Sequence, residues 1–192
     1  NACTGRRGLR DAQTMCEQVG RHLGIDPGKV LPSSTGVIGV PLPMAKVRQG
    51  IAHASALLSA ESLASAADAI LTTDRFAKVS AAYCQLGGKK VTVGGMAKGA
   101  GMIAPNVATM LAYVLTDANV PLSCLRRVLR ESARETFNAV TVDGDMSTND
   151  TVLLMANGLA GNSAVRPGSR DENVFAGAVQ RVMRDLALKL VE

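Results

Sequence analysis

Few residues in this chain have types and spacings that could do chemistry, and most of the familiar constellations fail on inspection. His22 and His53 both sit in helical stretches among small or polar residues. Neither has the makings of a Ser-His-Asp set, and the favoured reading for each is an exposed, inert side chain. Cys3, Cys16, Cys84 and Cys124 are far apart and form no C-x-x-C pair. With only two histidines beside them they point to partly buried, reduced thiols rather than a zinc site. Gly99-x-Gly101-x-x-Ala104 matches the looser dinucleotide fingerprint and follows a strand. That fingerprint needs a helix to start at once, so that its N-terminal N–H groups meet the pyrophosphate. Pro105 falls in the first turns of that helix, and Gly94-Gly95 separates strand from motif. Asp143-x-Asp145-x-Ser147 opens like a calcium loop, but Thr148 and Leu154 stand where glycine and glutamate are required. The favoured role for those short polar side chains is turn formation and helix capping.

A chemistry that needs no histidine remains. A threonine hydroxyl is a weak nucleophile and needs a base. If the backbone is cut just before a threonine, the new α-amine lies on the same residue. Its ordinary pKa of about 7.7–8.0 suits proton transfer near neutral pH. The Gly-rich run from Gly94 ends in Ala108-Thr109-Met110. Small residues there let a hydroxyl approach the preceding carbonyl, and an apolar strand after Thr109 would hold the freed terminus. On spacing alone, an Ala-Thr pair before a strand is usually just a strand start, and that is the favoured reading of Ala108-Thr109.

The elements that must position these residues follow from periodicity. Residues 7–23 read as an amphipathic helix with Leu9, Met15, Cys16, Val19 and Leu23 on one side. Asp26-Pro27-Gly28 is a turn, and Lys29 to Pro32 a short strand. Pro43 to Leu58 and Glu61 to Leu71 are helices, the first with proline in its first turn. Lys78–Leu86 and Lys89–Val93 form a β-hairpin across Gly87-Gly88. Met110 to Leu115 is a buried strand, Pro121 to Glu135 a helix and Ala139–Val142 a short strand. Thr148 or Asn149 caps a helix through Leu159, Asn162 to Gly168 is a polar loop, and Asp171 to Val191 is a closing helix. Strands and helices mix without regular βαβ alternation, so the expected class is α+β, read as a single region over residues 1–192.

Composition bounds the rest. At 192 residues and 47% hydrophobic, the chain has material for a packed core; at 19% charged, it does not read as disordered. The net charge of +5 is scattered and aromatics are only 3%, so stacking on single-stranded nucleic acid has little to work with. No nucleic-acid partner is expected. No run of about 18 apolar residues exists to span a membrane. The first residues, NACTGRRGLRDAQ, lack an apolar signal segment and do not begin with Met; the expectation is a processed or trimmed piece of a longer chain.

The run Lys98-Gly-Ala-Gly-Met-Ile-Ala-Pro-Asn-Val-Ala-Thr109-Met-Leu-Ala resembles the self-cleavage segment of the bifunctional ornithine acetyltransferase / N-acetylglutamate synthase family of arginine biosynthesis. Leu31-Pro-Ser-Ser-Thr-Gly-Val-Ile-Gly39, Ile70-Leu-Thr-Thr-Asp74 and Asp143-Gly-Asp-Met-Ser-Thr-Asn-Asp-Thr151 agree with it in the family's order. The resemblance runs through essentially the whole chain. Its departures are Val107, where Met or Leu is usual, and Arg75-Phe76-Ala77, where the family commonly has Thr-x-Pro. The family's chain begins before Asn1 and continues past Glu192, with further substrate contacts in the later part.

The resemblance implies an α+β fold of stacked β-layers flanked by helices, of N-terminal-nucleophile type, with the nucleophile at the start of a central strand. It makes Thr109 the nucleophile and Ala108–Thr109 the self-cleavage bond. Thr35 and Gly36 match the oxyanion-stabilising pair; Thr72 and Lys98 match substrate-contacting positions. The implied reaction is ping-pong acetyl transfer from N-acetylornithine to glutamate through acetyl-Thr109, with no metal or organic cofactor. Whether acetyl-CoA also serves as donor is left open. The partners implied are the remaining parts of the same gene product, in an α/β heterodimer that associates into a larger oligomer. The implied location is the bacterial cytoplasm, with an organelle as alternative. Two other readings stand beside it: a self-processed amidohydrolase or aminopeptidase, if water reaches the acyl-enzyme, and a non-catalytic nucleotide-binding module using the Gly-rich loop.

Overall fold

The computed structural model describes residues 2–100, 110–141 and 147–192. They form two compact units, residues 1–63 and residues 64–192.

In the first unit, helix α1 (Gly5–Leu23) packs against helix α2 (Met44–Ala56). Met15, Cys16 and Val19 are partly buried, whereas Leu9 and Leu23, expected on the same apolar side, are exposed. Lys29 to Pro32 is not a strand. Pro27–Lys29 forms a 3-10 turn, because the Asp26 carboxylate accepts the Gly28 N–H at 2.9 Å and proline presets the first turn. That turn folds back on α1 at Gly20, where a Cβ would lie 2.8 Å from the Ile25 carbonyl oxygen.

The second unit is built on one mixed sheet. Its strands are β1 (Lys78–Leu86), β2 (Lys89–Lys98), β3 (Leu111–Thr116) and β4 (Thr151–Ala156), in that spatial order. β1–β2 and β2–β3 are antiparallel, and β3–β4 is parallel. Gly87 and Gly88, at φ 54° and 77°, close the expected hairpin with the positive dihedrals that a tight two-residue turn demands. Helices α4 (Leu122–Glu135) and α5 (Arg170–Val191) pack on the sheet, and α3 (Leu63–Ala69) precedes β1 in the chain. The expected α+β class holds, and the described residues supply one β-layer with its helices.

Helix α5 organises the core. Phe175, Ala178, Val179, Val182, Met183, Leu186, Ala187 and Leu190 recur at the three- and four-residue steps of one helical face, and all are buried. They meet the alternate sheet residues Val91, Val93, Gly95 and Ala97 of β2, and Ala112 and Val114 of β3. The Ser169 hydroxyl caps α5 by accepting the Glu172 N–H at 3.2 Å. Glu172 in turn pairs with Arg127 of α4.

Two sequence expectations fail here for tertiary reasons. Residues 148–159 do not form a helix. Thr151–Ala156 pairs residue for residue with β3, from Leu111↔Thr151 to Thr116↔Ala156, and a buried parallel partner outweighs the modest helix preference of Leu153, Leu154, Met155 and Ala156. Ala139–Val142 is not a strand where it is described: Phe137–Ala139 is a 3-10 turn, with Phe137 buried in the core, and Val142 lies outside the described residues. Strand β2 also runs further than expected, through Gly94–Lys98. The second glycine explains why: a Cβ on Gly95 would lie 3.0 Å from the Tyr113 carbonyl oxygen, 3.1 Å from Leu186 Cδ1 and 3.2 Å from Val182 Cγ1.

Gly95→Ala should therefore cost about 1–3 kcal/mol of stability in urea unfolding of the full-length gene product. Gly94→Ala, whose Cβ would meet only the Ser80 oxygen at 3.9 Å, should change it by less than about 0.5 kcal/mol.

Candidate active site

At one end of the sheet, the last residue of β2 meets the connection between α3 and β1. Lys98 is buried, and its Nζ donates to Thr72 Oγ1 at 3.0 Å. Core-facing residues of β2 alternate through Gly95 and Ala97, so Lys98 falls on the face away from α5. Burial pushes the Lys98 ammonium below the usual lysine range, opposed by the charge of Asp74.

Asp74 holds this corner together. Its Oδ1 accepts from Lys78 Nζ at 2.7 Å and from the Gly99 N–H at 2.6 Å, and its Oδ2 accepts from the Thr72 N–H at 3.3 Å. Both side chains of the Lys78–Asp74 pair are almost completely buried. Burial alone would push the Asp74 carboxyl up. The hydrogen bonds from Lys78, Gly99 and Thr72, with the Lys78 charge, outweigh it and hold the group below the usual carboxylate range. One carboxylate thus fixes the backbone on both sides of the Thr72–Lys98 contact. Its short ion pair is to Lys78, while the Lys98 ammonium feels its charge from further off. The Gly99 N–H, first donor of the dinucleotide-like motif, is already taken by a carboxylate, and the rest of that motif lies outside the described residues. A cleft of about 400 Å³ beside the cluster is lined by Thr73, Arg75, Phe76, Lys78, Gly99 and the end of α5; Thr72 and Lys98 are not in its wall.

A second polar arrangement sits at the amino end of β3. Met110 is buried; its N–H donates to Asp150 Oδ1 at 2.7 Å, and its carbonyl accepts the Thr151 N–H at 3.1 Å. Asp150 Oδ2 is buried with no hydrogen-bond partner among the described residues. Burial pushes this carboxyl up to about 6, with the N–H groups of Met110 and Ser147 opposing.

Of the residues singled out in the sequence, Thr72 and Lys98 are brought into direct contact. Thr35, half-buried, and Gly36, exposed, lie in the first unit, on the connection from the 3-10 turn to α2. Ala108 and Thr109 lie outside the described residues, as does the start of the calcium-like motif, Asp143 and Asp145. His22 and His53 are exposed, as expected. Cys84 and Cys124 are buried, Cys16 is half-buried, Cys3 is exposed, and all are free thiols. Asp74 ends one of the family-like motifs, Asp150 lies inside another, and Lys78 stood in the sequence only as the first residue of a strand. The available signal was position, each aspartate closing a polar run just before a strand.

The ArgJ family model matches residues 1–192. The chain belongs to the ArgJ family. It is 54% identical over 190 residues to the arginine biosynthesis bifunctional protein ArgJ of Symbiobacterium thermophilum, covering 99% of this chain and 47% of that one. The ArgJ protein of Geobacter sulfurreducens is 50% identical over 192 residues, covering 100% of this chain and 49% of that one. The chain thus spans about half the length of the curated ArgJ relatives it matches. The crystal structure of the arginine biosynthesis bifunctional protein ArgJ from Bacillus halodurans aligns with TM-score 0.50 at 42% identity, over 58% of this chain and 56% of that chain. Among the described residues, no helix is long and apolar enough to cross a membrane.

Asp74→Ala should destabilise the protein by about 3–5 kcal/mol at pH 7, because it leaves the Lys78 ammonium buried without its partner. The folded-state pKa of Asp74 is depressed. Its contribution is therefore complete above its unfolded value of about 3.9 and lost as pH falls through the folded value. Urea unfolding of wild type and Asp74→Asn should accordingly converge as pH drops below about 4.

Proposed function

We propose that the full-length protein transfers an acetyl group from N-acetylornithine to glutamate, with Thr109 as nucleophile. The Thr109 hydroxyl first attacks the Ala108 carbonyl. The peptide C–N bond breaks as the ester forms, which frees the α-amine of Thr109, and water then hydrolyses the ester to the Ala108 carboxylate and the Thr109 hydroxyl. That amine then accepts the hydroxyl proton as the Thr109 oxygen attacks the acetyl carbonyl of the donor. The tetrahedral oxyanion collapses, the proton passes to the leaving amine, and ornithine departs from acetyl-Thr109. The amine of glutamate attacks the acetyl ester in turn, giving N-acetylglutamate and restoring the hydroxyl. Thr35 and the Gly36 N–H supply the oxyanion donors; such donors are worth about 2.7–4 kcal/mol each. The two pieces of the cleaved chain stay together as an α/β heterodimer within a larger oligomer in the bacterial cytoplasm. Whether acetyl-CoA also serves as donor is a separate question for the same assay.

The observation that carries the substrate reading is the buried Lys98 ammonium with its Thr72 contact. Donor and acceptor share an α-carboxylate, and the Lys98 ammonium, on the face away from α5 and donating to a neutral threonine hydroxyl, is suited to it.

Intact mass of the full-length gene product, beside Thr109→Ala, tests the nucleophile. Wild type should give two species meeting at Ala108/Thr109, and Thr109→Ala a single uncut chain without acetyl transfer. A Thr109→Ala protein that still turns over would sink the reading. Lys98→Met should raise KM for the carboxylate substrates by about 10–100-fold, the worth of one charged hydrogen bond, as read by steady-state kinetics.

A further inference from the structure

The clamp on Met110 has a feature that strand pairing alone does not require. Asp150 and Thr151 are consecutive, and they take both backbone polar groups of one residue: Asp150 Oδ1 accepts the Met110 N–H at 2.7 Å, and the Thr151 N–H donates to the Met110 carbonyl at 3.1 Å. Thr151 then opens β4 and faces Leu111 in register. An asparagine could accept the same Met110 N–H. The chain instead carries a carboxylate whose second oxygen is buried without a hydrogen-bond partner among the described residues. Burial disfavours that charge more than the Met110 and Ser147 N–H groups favour it, so the fold keeps the ionised form at a cost relative to the neutral acid. A carboxylate kept against its own desolvation calls for an explanation beyond packing, and a functional position supplies one. No cation offsets it: the shift of Asp150 has no charged side chain among its causes. Of the titratable groups at this end of the sheet, Lys98 stands opposite Leu111 and donates to Thr72, while Lys78 pairs with Asp74.

We infer that Asp150 is a positioning residue for the acyl transfer, its ionised carboxylate fixing Met110 and with it the amino end of β3. This rests on the reading of Thr109 as nucleophile, since Thr109 is joined to Met110 by one peptide bond. A carboxylate binds an N–H more tightly than a neutral acid or amide does. The ionised form, dominant above about pH 6, therefore holds Met110 best. Protonation, or replacement by an amide, loosens the clamp. Because misplacement of a reacting group by about 1 Å can cost about 10²-fold in rate, the effect belongs in kcat rather than in KM.

The test uses the full-length gene product as wild type, Asp150→Asn, Asp150→Ala and Thr109→Ala. It measures the cleaved fraction by intact mass, kcat and KM per cleaved molecule across pH, and the melting temperature near neutral pH. Asp150→Ala should lower kcat by about 10²-fold with KM changed less than about threefold. Asp150→Asn should melt no lower than wild type, lose about tenfold in kcat, and lack the acidic limb near pH 6 that wild type shows. Asp150→Asn with wild-type kcat and pH profile overturns the inference. So does a loss of kcat in Asp150→Asn that comes with a lower melting temperature, since that is a structural role only. If Asp150→Ala does not fold, Asp150→Asn decides alone. An active Thr109→Ala protein refutes the nucleophile reading itself, whereas an inactive Thr109→Ala beside a fully active Asp150→Asn refutes only the positioning role.

Discussion

A carboxylate removed from water must find donors for both its oxygens, and at Asp74 that requirement ties one end of the sheet together. Its three donors come from three places in the chain: the Thr72 N–H before β1, the Lys78 ammonium at the start of β1, and the Gly99 N–H just beyond β2. None can move without unpairing a buried charge, a penalty of several kcal/mol. The Thr72–Lys98 contact inherits this rigidity, because Thr72 and Lys98 each stand within one or two residues of a group that Asp74 holds. The carboxylate also sets the local electrostatics. It lowers the cost of burying Lys98 without fully neutralising it, since its short contact is to Lys78.

Helix α5 supplies the complementary constraint. Its apolar face covers one side of the sheet and draws Gly95 so close that no side chain fits. That packing sends alternate residues of β2 into the core and leaves Lys98 on the opposite side. On that opposite face Val79, Tyr83, Leu115 and Met155 remain substantially exposed. One face of the unit is thus given to stability, while the residues that resemble substrate contacts belong to the other. The parallel β3–β4 pair does comparable work at Met110, where a backbone ladder and a single carboxylate converge on one residue.

Much of this was legible in the sequence. The Gly87-Gly88 hairpin, the buried strand after Met110, the helix from Leu122 and the long closing helix all follow from local signals: turn glycines, apolar runs and three-to-four spacing. The motifs around Thr35, Thr72, Lys98 and Thr109 are contiguous strings of residues, which is why they identify the family without any coordinates of atoms. What was not legible depends on partners distant in the chain. Residues 151–156 have a composition that suits a helix, and only pairing with β3 makes them a strand. Asp74 and Asp150 stood in the sequence only as members of family-like motifs, with no role of their own. Their roles arise from Gly99, 25 positions away, and Met110, 40 positions away.

The sequence by itself determined the family, the α+β class and the residue types available for chemistry, because each is encoded in short runs or in periodicity along one element. Only the tertiary structure decided which carboxylates are buried, which ammonium they balance and which oxygen is left over. Burial and pairing are properties of the space between elements: desolvation raises the cost of a charge, and a neighbour brought in by the fold either offsets that cost, as Lys78 does for Asp74, or leaves it standing, as at Asp150.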